Sequence, residues 1–319
     1  MCAPKSSQLI SKIDQTKFKP LFKTKTSLHA SAMVFNWIII VSAIVLYQVL
    51  SSPWVYPLAV LIIGARMHAL AILMHDATHF RFLKNRKWND LITNLFIMYP
   101  IFTTIEEYRA NHLKHHQHLN TEHDPDWVAK LTKREFHFPK TKAEFILTIL
   151  SYLVFYQGIL DAIWFAKRYK AKDKKEERKS DINTTKIAFY VVLYGLLTVF
   201  GMWKVYLLFW VVPYITSFFM FQYIRSVAEH YGDMAYEDEL SSSRTVKPTL
   251  FERFFIAPHN VGFHLEHHLF PGVPFYNLPK LHDLLMEDEE YNKKAHITKG
   301  YLSGLLLELG AEKHLGRAY

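Results

Sequence analysis

Four stretches of the chain are apolar almost throughout: residues 33–50, 56–74, 187–203 and 205–224. Each approaches the roughly 20 apolar residues a helix needs to cross a bilayer. A link containing Ser51, Ser52 and Pro53 joins the first two, and Lys204 divides the second two. The pattern predicts two helical hairpins. Residues 91–105 are short for a crossing and contain Pro100, whereas residues 145–165 are long enough and carry Asp161 near their end. Both are read as helices lying in the membrane interface.

Polar positions orient the hairpins, because basic residues stay on the cytoplasmic side. Lys5, Lys12, Lys17, Lys19, Lys23 and Lys25 precede the first span, Arg81, Lys84, Arg86 and Lys87 follow the second, and residues 167–179 form another basic run. Both termini and the long middle segment are therefore expected in the cytoplasm. The N-terminal arm lacks an apolar core followed by a small-residue cleavage site, so no signal peptide is expected. No internal repeat is evident. The expected fold is an all-α integral membrane protein: four transmembrane helices in two hairpins, with a cytoplasmic helical cap built from residues 75–186 and 225–319. The whole chain, residues 1–319, is read as one domain.

Composition agrees with this class. Half of the 319 residues are hydrophobic, 21% are charged, and 24 Phe, 18 Tyr and 7 Trp are present. That excludes disorder, collagen and coiled coil. Cys2 is the single cysteine, so there is no disulfide framework, no Cys-ligated zinc and no thiolate-held iron–sulfur cluster. The net charge of +9 is read as a membrane-surface feature, since no aromatic-interleaved basic motif argues for nucleic acid.

The 18 histidines carry the chemistry. His75 and His79 form an H-x3-H at the end of the second span. His112, His115 and His116 form an H-x2-H-H in the middle segment, and His264, His267 and His268 repeat it beyond the fourth span. His230 stands alone just after that span. Residues three and four apart on a helix share a face, so each pattern aims imidazoles at one point. Neutral imidazole is a good ligand for iron, zinc or copper. Nine such rings are too many for one tetrahedral zinc and suit two metals with room for solvent or oxygen. They can share a site only if an even number of crossings separates His116 from His264. The hairpin at 187–224 supplies two, and a fifth crossing at 145–165 would strand the third cluster. His29, His137, His259, His282, His296 and His314 lack clustering and are read as ordinary core or surface residues. His118 and His123 flank the second cluster out of register.

These motifs resemble the integral-membrane fatty acid desaturase family of the histidine-box di-iron superfamily. The matching segments are H-D-A-T-H at 75–79, Y-R-A-N-H-L-K-H-H-Q-H-L-N-T-E-H-D-P-D at 108–126, R-S-V-A-E-H at 225–230 and H-N-V-G-F-H-L-E-H-H-L-F-P-G-V-P at 259–274. The resemblance implies a di-iron centre on His75, His79, His112, His115, His116, His230, His264, His267 and His268, with O2 as co-substrate. Two departures stand out. His264 replaces the Gln of front-end desaturases, and Ser226 stands where some acyl-CoA desaturases have an Asn that contacts a metal through water.

The expected reaction is O2-dependent desaturation of a fatty acyl chain drawn from the membrane. An unactivated methylene C–H bond is beyond a side-chain acid or base, and di-iron with O2 and two electrons supplies the oxidant. Hydroxylation or ketolation of a carotenoid or other lipid is the nearest alternative, and a non-redox zinc hydrolase or receptor is the alternative from another class. With no cysteine cluster and no fused cytochrome, electrons are expected from a separate ferredoxin or cytochrome b5 drawn to the basic face. Asp76, Asp124, Asp126, Glu229 and Glu266 are candidates to orient the ligands through the second ring nitrogen; a salt bridge such as Arg225 with Glu229 is the plainer reading. Arg66 and His68 lie inside the second span. His68 is expected to face the bundle interior or a substrate cavity, and Arg66 to bridge to a neighbouring helix.

Overall fold

The computed structural model describes residues 5–175, 183–236 and 238–310, with side chains from residue 6 and excluding those of 166–175. Cys2, His314 and the side chains of the basic run 167–179 lie outside the described residues. Two long helices, α1 (Thr26–Leu50) and α2 (Val55–Thr78), form the first hairpin. Ser51 closes α1 in the left-handed region at φ 47°, its N–H donating to Tyr47 O at 2.8 Å. The face of α1 bearing His29, Met33, Asn36, Ile40 and Ala43 is buried at a spacing of three and four residues, as one helix stripe requires. The opposite face leaves Phe35, Ile38, Val41, Val45 and Val49 exposed. Helix α2 is buried along nearly its whole second half and is the central element.

Small residues let the other helices approach it. A Cβ added at Gly64 would lie 2.0 Å from Ser217 Oγ and 2.8 Å from Phe218 N, and Ser217 Oγ donates to Val60 O at 2.7 Å. This close crossing of small residues is how membrane helices pack.

Helix α3 (Ile105–Gln117) starts at Thr104, whose side chain accepts from Glu107 N. Helices α4 (Lys142–Leu153) and α5 (Tyr156–Lys175) follow and are bent by 77° relative to each other. The apolar stretch at 145–165 is therefore not one straight helix. The stretch at 91–105 also departs from the single helix expected. Helix Arg86–Thr93 gives way to one wide turn, Asn94–Met98, then to an irregular run in which Phe102 is left-handed at φ 69°. Asn94 Oδ1 captures Ile105 N at 2.8 Å and closes the bend.

Helix α6 (Thr184–Val199) turns through Gly201 at φ 63° into α7, Trp203–His230. The turn expected at Lys204 falls three residues earlier, because only glycine adopts that φ without strain, and Lys204 belongs to the first turn of α7. Pro213 lies inside α7, where it cannot donate a backbone hydrogen bond; wide turns at Leu207–Val211 and Tyr214–Phe218 flank it. Among the described residues α1, α2 and α7 are long and apolar enough to cross a bilayer, and the bent pair α4–α5 would add a fourth if it were one span. At 16 residues α6 is shorter than the expected 187–203 crossing.

Beyond α7 come α8 (Leu250–Phe255), α9 (His264–Leu269) and α10 (Leu278–Leu285). Here the all-α expectation needs correcting. Thr245–Lys247 (β1) and Ile297–Lys299 (β2) pair in parallel, with Val246 opposite Thr298. The distant segment bearing β2 thus pins the lead-in to the third histidine cluster.

Candidate metal centre

Four elements bring the histidines together. His75 and His79 stand at the end of α2, and His112, His115 and His116 lie on α3. His230 ends α7, while His264, His267 and His268 lie on α9. The structure gathers all nine into two groups. His75, His79, His112, His116 and His267 each offer a ring nitrogen within 4.8 Å of the others; His115, His230, His264 and His268 do the same. Each H-x2-H-H cluster, expected to aim its rings at one point, is instead split. On α3 the i,i+4 pair His112 and His116 serves the first group and His115 the second; on α9 the pair His264 and His268 serves the second and His267 the first. A step of 100° per residue points adjacent rings to different sides, so one helix feeds both groups.

The ring nitrogens are too close and too many to satisfy one another. His112 Nε2 lies 3.0 Å from both His79 Nε2 and His116 Nε2, and His116 Nε2 is also 3.0 Å from His267 Nε2. In the second group His264 Nε2 lies 2.9 Å from His230 Nε2 and 3.0 Å from His268 Nε2. Each neutral ring nitrogen carries either one proton or one lone pair, so such chains cannot pair throughout. Buried His75 Nε2 has no hydrogen-bond partner among the described residues. Converging lone pairs in a buried pocket fit a cation, and an all-imidazole donor set suits iron, zinc or copper.

The rings are held neutral, the state a metal requires. Burial first, and then neighbouring histidines, push His112, His264, His267 and His268 well below the usual imidazole range. His116 moves the same way for the same causes. Burial, followed by the charges of Arg81 and Arg109, lowers His79 to about 4.

The expected orienting groups divide. Asp124 is fully buried, and its Oδ2 lies 2.8 Å from His115 Nδ1 while accepting from Asn120 N at 3.0 Å. Its Oδ1 caps helix Pro125–Leu131. Glu229 pairs with Arg225 Nε at 3.0 Å, the salt bridge the plainer reading expected, and its Oε1 comes within 3.4 Å of His264 Nδ1 without forming a hydrogen bond. Others go elsewhere. Asp76 accepts from Phe275 N at 3.1 Å. Asp126 pairs with Lys130 Nζ at 2.6 Å, which also donates to Ser226 Oγ at 2.6 Å. Glu266 turns away from the box histidines: it accepts Tyr291 OH at 2.7 Å and Thr245 Oγ1 at 2.5 Å, and lies 2.5 Å from His282 Nδ1. An i,i+2 or i,i−1 carboxylate on a helix faces away from its neighbours' rings, so it bonds what packs on the outer side.

The remaining described histidines stay outside both groups. His29 contacts Leu73 O, His137 Leu131 O and His296 Glu308, while His118 and His123 face each other with ring centroids 5.7 Å apart. His259, left-handed at φ 53°, contacts Asn36 Nδ2 at 2.9 Å. His68 lies between Gln222 and the carbonyl of Ile256 in the bundle interior. Arg66 reaches Asn36 on α1 and the carbonyl of Phe254. Two contributors escaped the sequence reading. Tyr108 stacks on His112 with centroids 5.3 Å apart, and His282 braces α9 through Glu266. The i,i+4 relation of Tyr108 to His112 was a usable signal; nothing in the spacing marks His282. A cavity of about 20 Å³ touches His75 and His267 of one group and His264 of the other, enough for one water-sized molecule.

Residues 51–300 match the fatty acid desaturase family profile. The chain belongs to the fatty acid desaturase family. Among individual relatives, dihydrorhizobitoxine desaturase of Bradyrhizobium elkanii is 32% identical over 265 residues, covering 80% of this chain and 75% of that protein. The sn-1 oleoyl-lipid 12-desaturase of Anabaena variabilis is 23% identical, with 74% and 71% covered. The chloroplastic omega-6 fatty acid desaturase of Arabidopsis thaliana is 25% identical, with 76% and 56% covered. Family membership and the apolar helices together make this an integral membrane protein of desaturase type. Its two histidine groups lie within the matched region.

Proposed function

We propose that this desaturase introduces a double bond into a lipid acyl chain, using O2 and a di-iron centre held by the nine gathered histidines. The observation that carries the reading is the pair of adjacent groups, five and four ring nitrogens, fed jointly by α3 and α9. A single structural or hydrolytic zinc uses three or four ligands, which leaves at least five of these nine rings unexplained.

Bound iron would supply, with O2 and two electrons, an oxidant strong enough for an unactivated C–H bond. The chain's own residues do the rest. His75, His79, His112, His116 and His267 would hold one iron, and His115, His230, His264 and His268 the other. Asp124 keeps the His115 Nδ1 hydrogen, leaving Nε2 free to ligate. Burial of six of the nine rings would limit the water that reaches the site, and the end of α2 would fix the distance between the site and the lipid. Overall, two hydrogens leave the chain as O2 is reduced to two waters, with two further electrons and two protons delivered from outside.

The proposed topology is four spans, with α6 as the third, and a cytoplasmic cap bearing the histidines. A separate ferredoxin or cytochrome b5 would dock on its basic face. Expression in a host without its own desaturase, followed by mass spectrometry of total lipids, tests the reading. A product two hydrogens lighter supports it. A product gaining one oxygen favours hydroxylation instead, and one zinc without iron per chain refutes the oxidative assignment.

A further inference from the structure

Helix α8 sits in the wrong place for a purely aqueous cap. Arg66 donates to the carbonyl of Phe254, and its guanidinium carbon lies 4.1 Å above the Phe254 ring. His68 Nε2 is 3.0 Å from Ile256 O, and Phe255 meets Phe221 of α7 with centroids 6.4 Å apart. Arg66 and His68 precede His75 by nine and seven residues on the same helix, about 13 and 10 Å along its axis. Arg66 is also close to the midpoint of α2. The segment after α7 therefore runs back down the flank of the spans before rising to His264.

Its outer surface is apolar. Leu250 is 84% exposed and Phe251 59%. Beside them is the wide turn Gly300–Leu305, held to α8 by Tyr301 N and Leu302 N, which donate to Glu252 Oε1 at 2.8 and 2.7 Å. This turn and the short helix after it leave Leu302 55% and Leu307 71% exposed. Exposed Lys247, Arg253 and Lys299 rim the patch, and Lys247 and Lys299 are register partners on β1 and β2. A water-facing surface rarely groups four large apolar side chains inside a basic rim. An element lying in a bilayer does so, with lysine and arginine reaching the headgroups. The segment after α8 also packs against a membrane span, since the buried face of α1 presents Asn36 to both His259 and Arg66.

We propose that α8 and the Gly300–Leu305 turn form a membrane-inserted wedge whose partner is bilayer hydrocarbon, with anionic headgroups at its basic rim. Part of the segment following α7 thus belongs to the membrane rather than the cytoplasm. This goes beyond the catalytic proposal and does not depend on any metal. It also places lipid beside the route to the site, since the chain leaves the wedge through His259 and Val261, which line the cavity at His75 and His264.

The test is depth measurement by nitroxide labelling. Leu250→Cys, Phe251→Cys, Leu302→Cys and Leu307→Cys are made singly with Cys2→Ser, and the full chain is reconstituted in phosphatidylcholine vesicles with and without phosphatidylglycerol. Collision rates with O2, which concentrates in hydrocarbon, and with a nickel chelate, which stays in water, are compared. Val41→Cys on the outer face of α1 is the lipid control and Glu289→Cys the aqueous one. The wedge labels are expected to match Val41. Labels matching Glu289 would overturn the proposal. So would labels shielded from both reagents, which is the signature of a protein partner or second copy. Loss of desaturation with lipid-type accessibility intact would strike the catalytic reading alone.

Discussion

Asp124 and His115 form a buried pair: the carboxylate Oδ2 lies 2.8 Å from the imidazole Nδ1, and Asp124 is entirely shielded from solvent. The carboxylate fixes which nitrogen faces the second histidine group. Asp124→Asn keeps the size but removes the charge that favours the Nδ1–H form. It is expected to lower metal affinity at that group by about 10- to 100-fold, read by metal titration of the stripped protein. Affinity unchanged from wild type would show that Asp124 serves only as a helix cap.

Neighbours on α3 are expected to separate the two metals. His112→Ala removes a ligand from the five-membered group and His115→Ala one from the four-membered group. Mössbauer spectra of the two iron-loaded variants should lose intensity from different iron sites. Identical spectra from both would contradict the split.

Glu266→Gln tests the brace on α9. The native carboxylate meets three groups at once, His282, Tyr291 and Thr245, at 2.5 to 2.7 Å. An amide puts a donor against donors, at a cost of about 1.5–3 kcal/mol for hydrogen bonds to a buried charge. The metal-free variant is expected to melt lower than metal-free wild type by calorimetry, and an equal midpoint would remove the brace.

Acid should destabilise the metal-free protein. Burial first, then Arg66 and His29, lowers His259 to about 3, and His79 is lowered to about 4. In the unfolded chain both titrate near the usual 6.5, so below that pH the unfolded state binds more protons than the folded one. Stability is complete above about 6.5 and falls as pH drops toward the folded values, by up to about 1.4 kcal/mol per pH unit for each such histidine. Thermal melts in detergent from pH 7 to pH 5 measure the slope, and a flat profile would show that these rings take up protons in the fold.

The crossing at Gly64 is expected to be intolerant. Gly64→Val drives side-chain atoms into Ser217 and the backbone of Phe218, whereas a Cβ added at Gly195 on α6 has nothing within 4 Å, so Gly195→Val enters open space. Folded yield by size-exclusion chromatography should fall sharply for the first and hold for the second.

The sequence was legible where one interaction dictates spacing. Metal ligation demands rings at i, i+3 and i+4, so the three histidine clusters were visible without coordinates, as were the apolar runs of α1 and α2. It was less legible where several residues compete. Lys204 looked like the turn because charge interrupts the apolar run, yet Gly201 supplies the required φ and Lys204 tolerates a helix end. Glu266 looked like an orienting group because it sits between ligands; helix geometry turns it toward His282, which lies far away in sequence. The division of each H-x2-H-H between two groups follows from rotation along a helix and was available from the start.

That division would tie the seating of one metal to that of the other. Because α3 and α9 each reach both pockets, seating a metal in either one settles rings belonging to its neighbour. On the proposed di-iron reading, filling would then be cooperative, and a half-loaded protein would be kept scarce by the way two short helices are threaded.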